Sequence, residues 1–407
     1  MNFWIDKFKF LPLLVLYIII ILALASNSVE SDEGRYILFA NNMANGFYTS
    51  RSDINLWNGP GYPIILLPFA FLNLPWLTAK ILNAIFLFIA ILYFYYGASI
   101  YIERRVALVF SYLLGLYPLF IRNIHQLLPE TVGIFLVCGF LFHFCKLHRV
   151  NKNYWLHLIA SSFYLGYLAL TKIFFGYVII AGLILSLILY LCKKSLIRRS
   201  LLTYSFSFLL CLPWLGYTYS LTGKPLYWGN SGGSVLYWMS TPYENEFGDW
   251  QHPEAVLSKN YIPQRHKELF NRISVLSGIQ RDDILKKEAI HNIISNPAKF
   301  FKNWLANVGR LLFNYPYSYT SQKLSTLFYI IPNMFIIVFS ILCIYPTYIR
   351  RKLVPYEIYS LLLFGIIIFG GSSFLSAYER QFRPVVPILM LWISFTLNKI
   401  VKIKIAN

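Results

Sequence analysis

Two adjacent carboxylates, Asp32 and Glu33, stand a few residues past the first hydrophobic run, within Ser31-Asp32-Glu33-Gly34-Arg35-Tyr36. Carboxylates held at the depth of lipid headgroups can take a proton from a hydroxyl group. Four cations, Arg35, Lys172, Arg380 and Arg383, are expected at the same outer membrane face. The positive-inside rule disfavours Lys and Arg there, so these residues ask for an anionic partner, and a lipid phosphate is one. Guanidinium groups suit such bidentate contact better than an ammonium does. Each also has a plain alternative. Arg35 can pair with Asp32, Arg380 and Arg383 can pair with Glu379 or reach headgroups, Lys172 can cap a hairpin, and acids in a first helical turn suit the dipole. Glu130, which follows Pro129 at the start of a hydrophobic run, either caps that helix or adds a second acid to the site.

The elements that must position these groups are membrane helices. Of the 407 residues, 57% are hydrophobic, 18% aromatic and 13% charged, and the mean hydropathy is +0.55. Such a chain is solvated mostly by lipid. A bilayer core needs about 20 apolar residues per helix. Runs of that order begin near Phe10, Leu77, Val106, Pro129, Tyr154, Ile173, Leu201, Leu324, Ile358 and Val385, which predicts ten spans. With the N-terminus inside, every inner loop is basic, Arg104-Arg105 and Arg350-Arg351-Lys352 among them. The net charge of +19 is thereby topology signal and contact with anionic lipid, so no nucleic-acid partner is expected. The first run is read as a retained anchor; cleavage after Ala23-Leu24-Ala25 would leave nine spans.

Two outer segments exceed turn length. The first, 27–75, holds a Ser31-capped helix with Asp32, Arg35, Tyr36 and Phe39 on one face and Glu33 turned about 100° away. It also holds an apolar stretch, Tyr62 to Phe69, expected along the membrane surface. The second, 218–323, mixes acids and bases in soluble proportions and reads as a small water-exposed domain. Its Asn296-Pro297 opens a helix with Phe300, Phe301, Trp304, Leu305 and Val308 at helical spacing. Residues 1–217 form the expected N-terminal transmembrane catalytic module and 324–407 the C-terminal transmembrane helices. The five cysteines imply neither disulfides nor a zinc site. Trp228, Tyr237, Trp238 and Trp250 can stack on sugar rings. Gly229-Asn230-Ser231-Gly232-Gly233 is a flexible loop near them. No internal repeat is found, which argues against a transporter of duplicated halves.

Asp-Glu-x-Arg-Tyr at 32–36, followed by Gly61-Tyr62-Pro63, resembles the integral-membrane GT-C glycosyltransferases that use polyprenyl-phosphate sugars. Pro129-Glu130, Thr171-Lys172, Pro213-Trp214, Thr222-Gly223-Lys224, Asn296-Pro297 and Glu379-Arg380-Gln381-Phe382-Arg383-Pro384 continue the likeness in order. The nearest branch is that of the protein O-mannosyltransferases and lipid A aminoarabinose transferases. The resemblance implies an all-α polytopic membrane protein with interfacial helices in the first outer loop and a small extracytoplasmic domain. It implies hexosyl or pentosyl transfer from a polyprenyl-phosphate donor to a glycan, lipid or protein acceptor, at the outer face of an inner or plasma membrane. Asp32 and Glu33 are then catalytic, Arg35, Lys172, Arg380 and Arg383 bind the donor phosphate, and Glu130 is the acceptor-side or second acid. No cofactor is required; a divalent metal is compatible but not demanded. Two other classes stay open. A polysaccharide polymerase or ligase would not need the Asp32-Glu33 pair after the first span, and a lipid or sugar transporter would place its charges at mid-bilayer depth.

Overall fold

The computed structural model describes residues 8–26, 29, 32–149, 152–192, 197–259 and 261–401. The expected Ser31 cap lies outside them. Among the described residues every regular element is helical. Helix α1 (Leu11–Leu24) leads into α2 (Glu33–Ala44) and α3 (Gly61–Phe71), which pack on each other. Then come α4 (Trp76–Ala98), α5 (Arg104–Gly115), the single turn α6 (Pro118–Ile121), α7 (Pro129–Arg149), α8 (Tyr154–Thr171), α9 (Phe174–Leu191) and α10 (Arg198–Thr222). A second long segment carries α11 (Gly232–Met239), α12 (Pro253–Ser258), α13 (Gln264–Ser274), α14 (Gly278–Ser295) and α15 (Pro297–Phe313). Helices α16 (Leu327–Ile349), α17 (Tyr356–Ser373) and α18 (Val386–Phe395) close the bundle.

A helix starts within a few residues of each of the ten expected span starts. Six segments are long and apolar enough to cross a bilayer: α4, α7, α9, α10, α17 and Leu324–Ile349, which contains α16. This is a multi-pass membrane protein. Helix α5, with 12 residues, rises only ~18 Å, short of a hydrocarbon core of about 30 Å. Polar residues bind the helices where apolar packing cannot distinguish protein from lipid. Ser207 Oγ of α10, for example, donates to the Ser162 carbonyl of α8 at 3.0 Å.

The bundle has two chemically different ends. At one, Arg149 Nε meets Glu357 Oε1 at 2.5 Å and Tyr101 Oη donates to the same oxygen at 2.8 Å. At the other lie α2, α3, the start of α7, the α8–α9 junction and the end of α17. Gly59 and Gly61 allow that assembly: a Cβ on either would come within 2.1 Å of the Leu170 carbonyl oxygen or 2.5 Å of Thr171 Oγ1. The first long segment is thereby pressed against the end of α8.

Helix α15 buries polar residues. Its buried stripe is polar, Asn303, Asn307 and Arg310 with Leu311, whereas Phe301 and Leu305 are exposed. The polar stripe wins because it satisfies irregular backbone. Asn307 Nδ2 donates to the carbonyls of Ser373 (2.7 Å) and Leu375 (2.6 Å), and its Oδ1 accepts from Ala377 N (3.0 Å). The turn that delivers Arg380 is pinned this way. Segment 218–323 also has an apolar core of its own, built around Trp238, Val256, Phe270 and Leu285.

Candidate active site

Asp32 is the N-cap residue of α2, although its side chain makes no capping bond. It turns instead to two arginines. Arg35, one turn along the same face, donates Nη2 to Asp32 Oδ1 at 2.7 Å, and Arg380 donates Nη1 to Oδ2 at 3.0 Å. The Asp32 carboxylate remains 27% exposed, so it is oriented without being sealed. Glu130, in the first turn of α7, accepts from Lys172 Nζ at 3.3 Å through Oε1, while its buried Oε2 has no hydrogen-bond partner among the described residues. Lys172 ends α8 and stands at the junction with α9.

Asp32, Arg35, Glu130, Lys172 and Arg380 line one cavity of about 160 Å³. Three cations thus face two carboxylates, and the cavity is net positive. Burial lowers the Lys172 pKa, an effect that Glu130 partly opposes. Burial also acts to lower the Arg380 pKa, but the Glu130 and Asp32 carboxylates outweigh it and hold the guanidinium firmly charged. Tyr36 is buried beneath, its phenol pKa raised by that burial, and its hydroxyl accepts from Asn58 Nδ2 at 2.9 Å. The cavity continues into a neighbour of about 250 Å³, which shares Asp32, Arg35 and Arg380 and adds Tyr378, Gly229 and Gly232. The glycine-rich loop expected near the aromatics therefore forms part of the wall. Gly229 is needed there, since a Cβ would lie 2.3 Å from the Leu56 carbonyl oxygen.

Two expected site residues face elsewhere. Glu33 is 1% exposed, lies 3.5 Å from Lys80 Nζ and accepts from Leu127 N at 2.6 Å. The helical turn between residues 32 and 33 sends it into protein, and it lines neither cavity. Instead of facing the cavity where contact with an acceptor or metal was expected, Glu33 ties α2 to α4 and to the 127 loop in this arrangement. Arg383 is 3% exposed and donates to Glu379 Oε1 (2.9 Å) and Asn123 Oδ1 (3.0 Å). It stands behind the cavity, and Arg380 alone of the two arginines lines it. Because removing one member of a buried ion pair strands the other, Lys80→Met is expected to destabilise the fold by ~3–5 kcal/mol. A thermal-unfolding comparison checks this, with donor affinity of the folded fraction unchanged; a wild-type melting temperature would contradict the structural role.

The aromatic expectations also divide. Trp228 and Trp238 are buried in the two cores, closed to any ligand, whereas Trp250 lines the 250 Å³ cavity. Sequence reasoning missed Trp57, which lines both cavities and lies under the Arg35 guanidinium, 5.7 Å from its ring centroid. Its position between two outer-loop glycines and the Asp32 helix was the available signal. Lys80 and Asn307 were missed because each looks like an isolated polar residue on an apolar helix.

No family model matches the chain, and no curated protein matches it in sequence. Solved structures do match in fold. The Archaeoglobus fulgidus oligosaccharyltransferase in the apo form is 15% identical with a TM-score of 0.54, over 96% of this chain and 51% of the other. Archaeal oligosaccharyltransferase AglB of the same organism, in complex with an inhibitory peptide and a dolichol-phosphate, gives 16%, 0.51, 96% and 50%. ArnT from Cupriavidus metallidurans bound to undecaprenyl phosphate is 13% identical over 96% of this chain and 77% of the other, with a TM-score of 0.44. The chain spans about half the length of the oligosaccharyltransferases it matches. Its fold is the one shared by these oligosaccharyltransferase structures, in keeping with the GT-C resemblance read from its sequence.

Proposed function

We propose that this chain transfers a sugar from a polyprenyl-phosphate donor to an acceptor hydroxyl at the outer face of the membrane. The observation that carries the reading is the single cavity in which Asp32 lies between Arg35 and Arg380, with Lys172 and Glu130 beside them. The acceptor oxygen attacks the anomeric carbon as Asp32 takes its proton. The bond from that carbon to the phosphate oxygen breaks, and the lipid phosphate leaves with the electron pair. Developing charge on the phosphate is met by Arg380, Lys172 and Arg35, groups already oriented before reaction. A direct displacement of this kind inverts the anomeric configuration. Arg380 uses one nitrogen on Asp32, and a guanidinium has further donors in its fork for a phosphate. The unpartnered Glu130 Oε2 is suited to accept from a sugar hydroxyl, because a buried oxygen without a partner costs free energy until a ligand supplies one.

A divalent metal is compatible with this cavity but not demanded by it. Both Asp32 oxygens already accept from guanidinium groups, which places fixed positive charge at the cavity. Charge stabilisation by fixed cations needs no metal, so chelator treatment of the purified protein is expected to change turnover by no more than about twofold. A large loss restored by added magnesium or manganese would contradict that assignment.

The proposed reaction is tested with purified protein in vesicles loaded with a polyprenyl-phosphate-linked labelled sugar. A new glycosidic bond of inverted configuration supports it. Label crossing the bilayer without bond formation supports transport instead, and consumption of only a pyrophosphate-linked oligosaccharide supports a polymerase or ligase.

A further inference from the structure

A larger cavity, about 350 Å³, opens beside the one around Asp32 and shares Arg35, Trp57 and Trp250 with the chain of cavities leading to it. It is formed between the two long segments. Residues 53–57 make one wall; α12, α13 and α14 make the other. The walls are fastened by Asn230, whose Nδ2 donates to the Ile54 carbonyl (3.2 Å) and whose Oδ1 accepts from Leu56 N (3.1 Å). Gly278 at the start of α14 permits this approach, since a Cβ would stand 2.8 Å from Asn230 Nδ2 and 2.9 Å from the Ile54 carbonyl oxygen. The volume falls in the range of small-molecule sites, roughly 300–1,000 Å³.

Its lining has a particular chemistry. The indoles of Trp57 and Trp250 lie 6.1 Å apart, tilted by 55°, so they offer two apolar faces of different direction. Asp53 and Arg281 line the same space. Among the described residues neither has an ion pair or a side-chain hydrogen bond, unlike Asp282 nearby, whose Oδ1 is spent on Gly233 N at 2.6 Å. A carboxylate takes hydrogen bonds from paired hydroxyls, a guanidinium gives them to ring and hydroxyl oxygens, and indole faces cover the apolar faces of sugar rings. An extended peptide would ask for exposed backbone donors and acceptors along the walls; the nearby backbone of Ile54 and Leu56 is already taken by Asn230.

We infer that this cavity binds a saccharide, the acceptor end of a glycan or glycolipid, through Trp57, Trp250, Asp53 and Arg281, and feeds its hydroxyl toward Asp32. The inference rests on the transfer reaction proposed above and names its acceptor class.

The test supplies labelled polyprenyl-phosphate sugar to membranes of the source cells carrying wild-type, Asp53→Ala or Arg281→Ala protein. Labelled products are divided by protease digestion, periodate sensitivity and lipid extraction, and lipid-phosphate affinity is measured on each purified variant. The expected result is label in protease-resistant saccharide, with the acceptor KM raised tenfold or more in both variants and lipid-phosphate affinity unchanged. Label released by protease would overturn the inference in favour of a protein acceptor. Label in saccharide with wild-type KM in both variants would overturn the assigned cavity. If wild-type protein forms no glycosidic bond at all, the transfer reaction itself fails and the inference with it.

Discussion

Asp32→Asn is expected to abolish most turnover, by ~10²–10⁴-fold, the usual contribution of a positioned proton acceptor. The substitution preserves shape but keeps only one of the two acceptor oxygens, and an amide cannot take the hydroxyl proton. Binding should respond in the opposite direction. Asp32 competes with a phosphate for Arg35 and Arg380, so removing its charge frees both guanidiniums, and lipid-phosphate affinity should hold or tighten. Loss of turnover with retained or improved affinity is a combination that misfolding does not produce. Paired kinetic and binding measurements on one preparation would reveal it.

Arg380→Gln should carry the second largest effect, a fall in turnover of ~10²–10³-fold, the scale reported by removal of one preorganised charge-stabilising donor. Here affinity should fall too, since Arg380 is expected to hold the phosphate in both ground and transition states. Arg380→Lys should not restore activity: the residue reaches Asp32 and the cavity together through a planar fork, which an ammonium cannot reproduce. The neighbouring Arg383→Gln serves as a contrast. That side chain is buried on Glu379 and Asn123, so its loss should lower the melting temperature more than the turnover of the protein that remains folded. Equal kinetic defects at the two positions would remove the distinction on which the phosphate assignment stands.

Helix positions were legible in the sequence because hydropathy over a span-length window is a strong, local signal. The Asp32 face was legible for a similar reason: residues 32, 35 and 36 lie a helical turn apart, and the ion pair between Asp32 and Arg35 is local. The remainder depended on distant partners. Nothing in the run Glu379 to Pro384 shows which arginine enters the cavity, since that depends on Asn307 pinning the 375–377 backbone and on Glu379 capturing Arg383. The burial of Glu33 was illegible for the same cause, its partner Lys80 lying in the first turns of α4. The apolar positions of α15 indicated a helix, but not that its buried stripe would be Asn303, Asn307 and Arg310, because the backbone at the end of α17 that Asn307 satisfies is distant in the sequence.

The most direct test of the central claim measures lipid-phosphate binding and sugar transfer on the same reconstituted wild-type and Asp32→Asn proteins, with a labelled polyprenyl-phosphate sugar as donor. The variant should bind the lipid phosphate at least as well as wild type yet form the glycosidic bond at least a hundredfold more slowly, a loss of the size expected for a missing proton acceptor. An Asp32→Asn protein that binds the lipid and turns it over at the wild-type rate would show that Asp32 is not the proton acceptor.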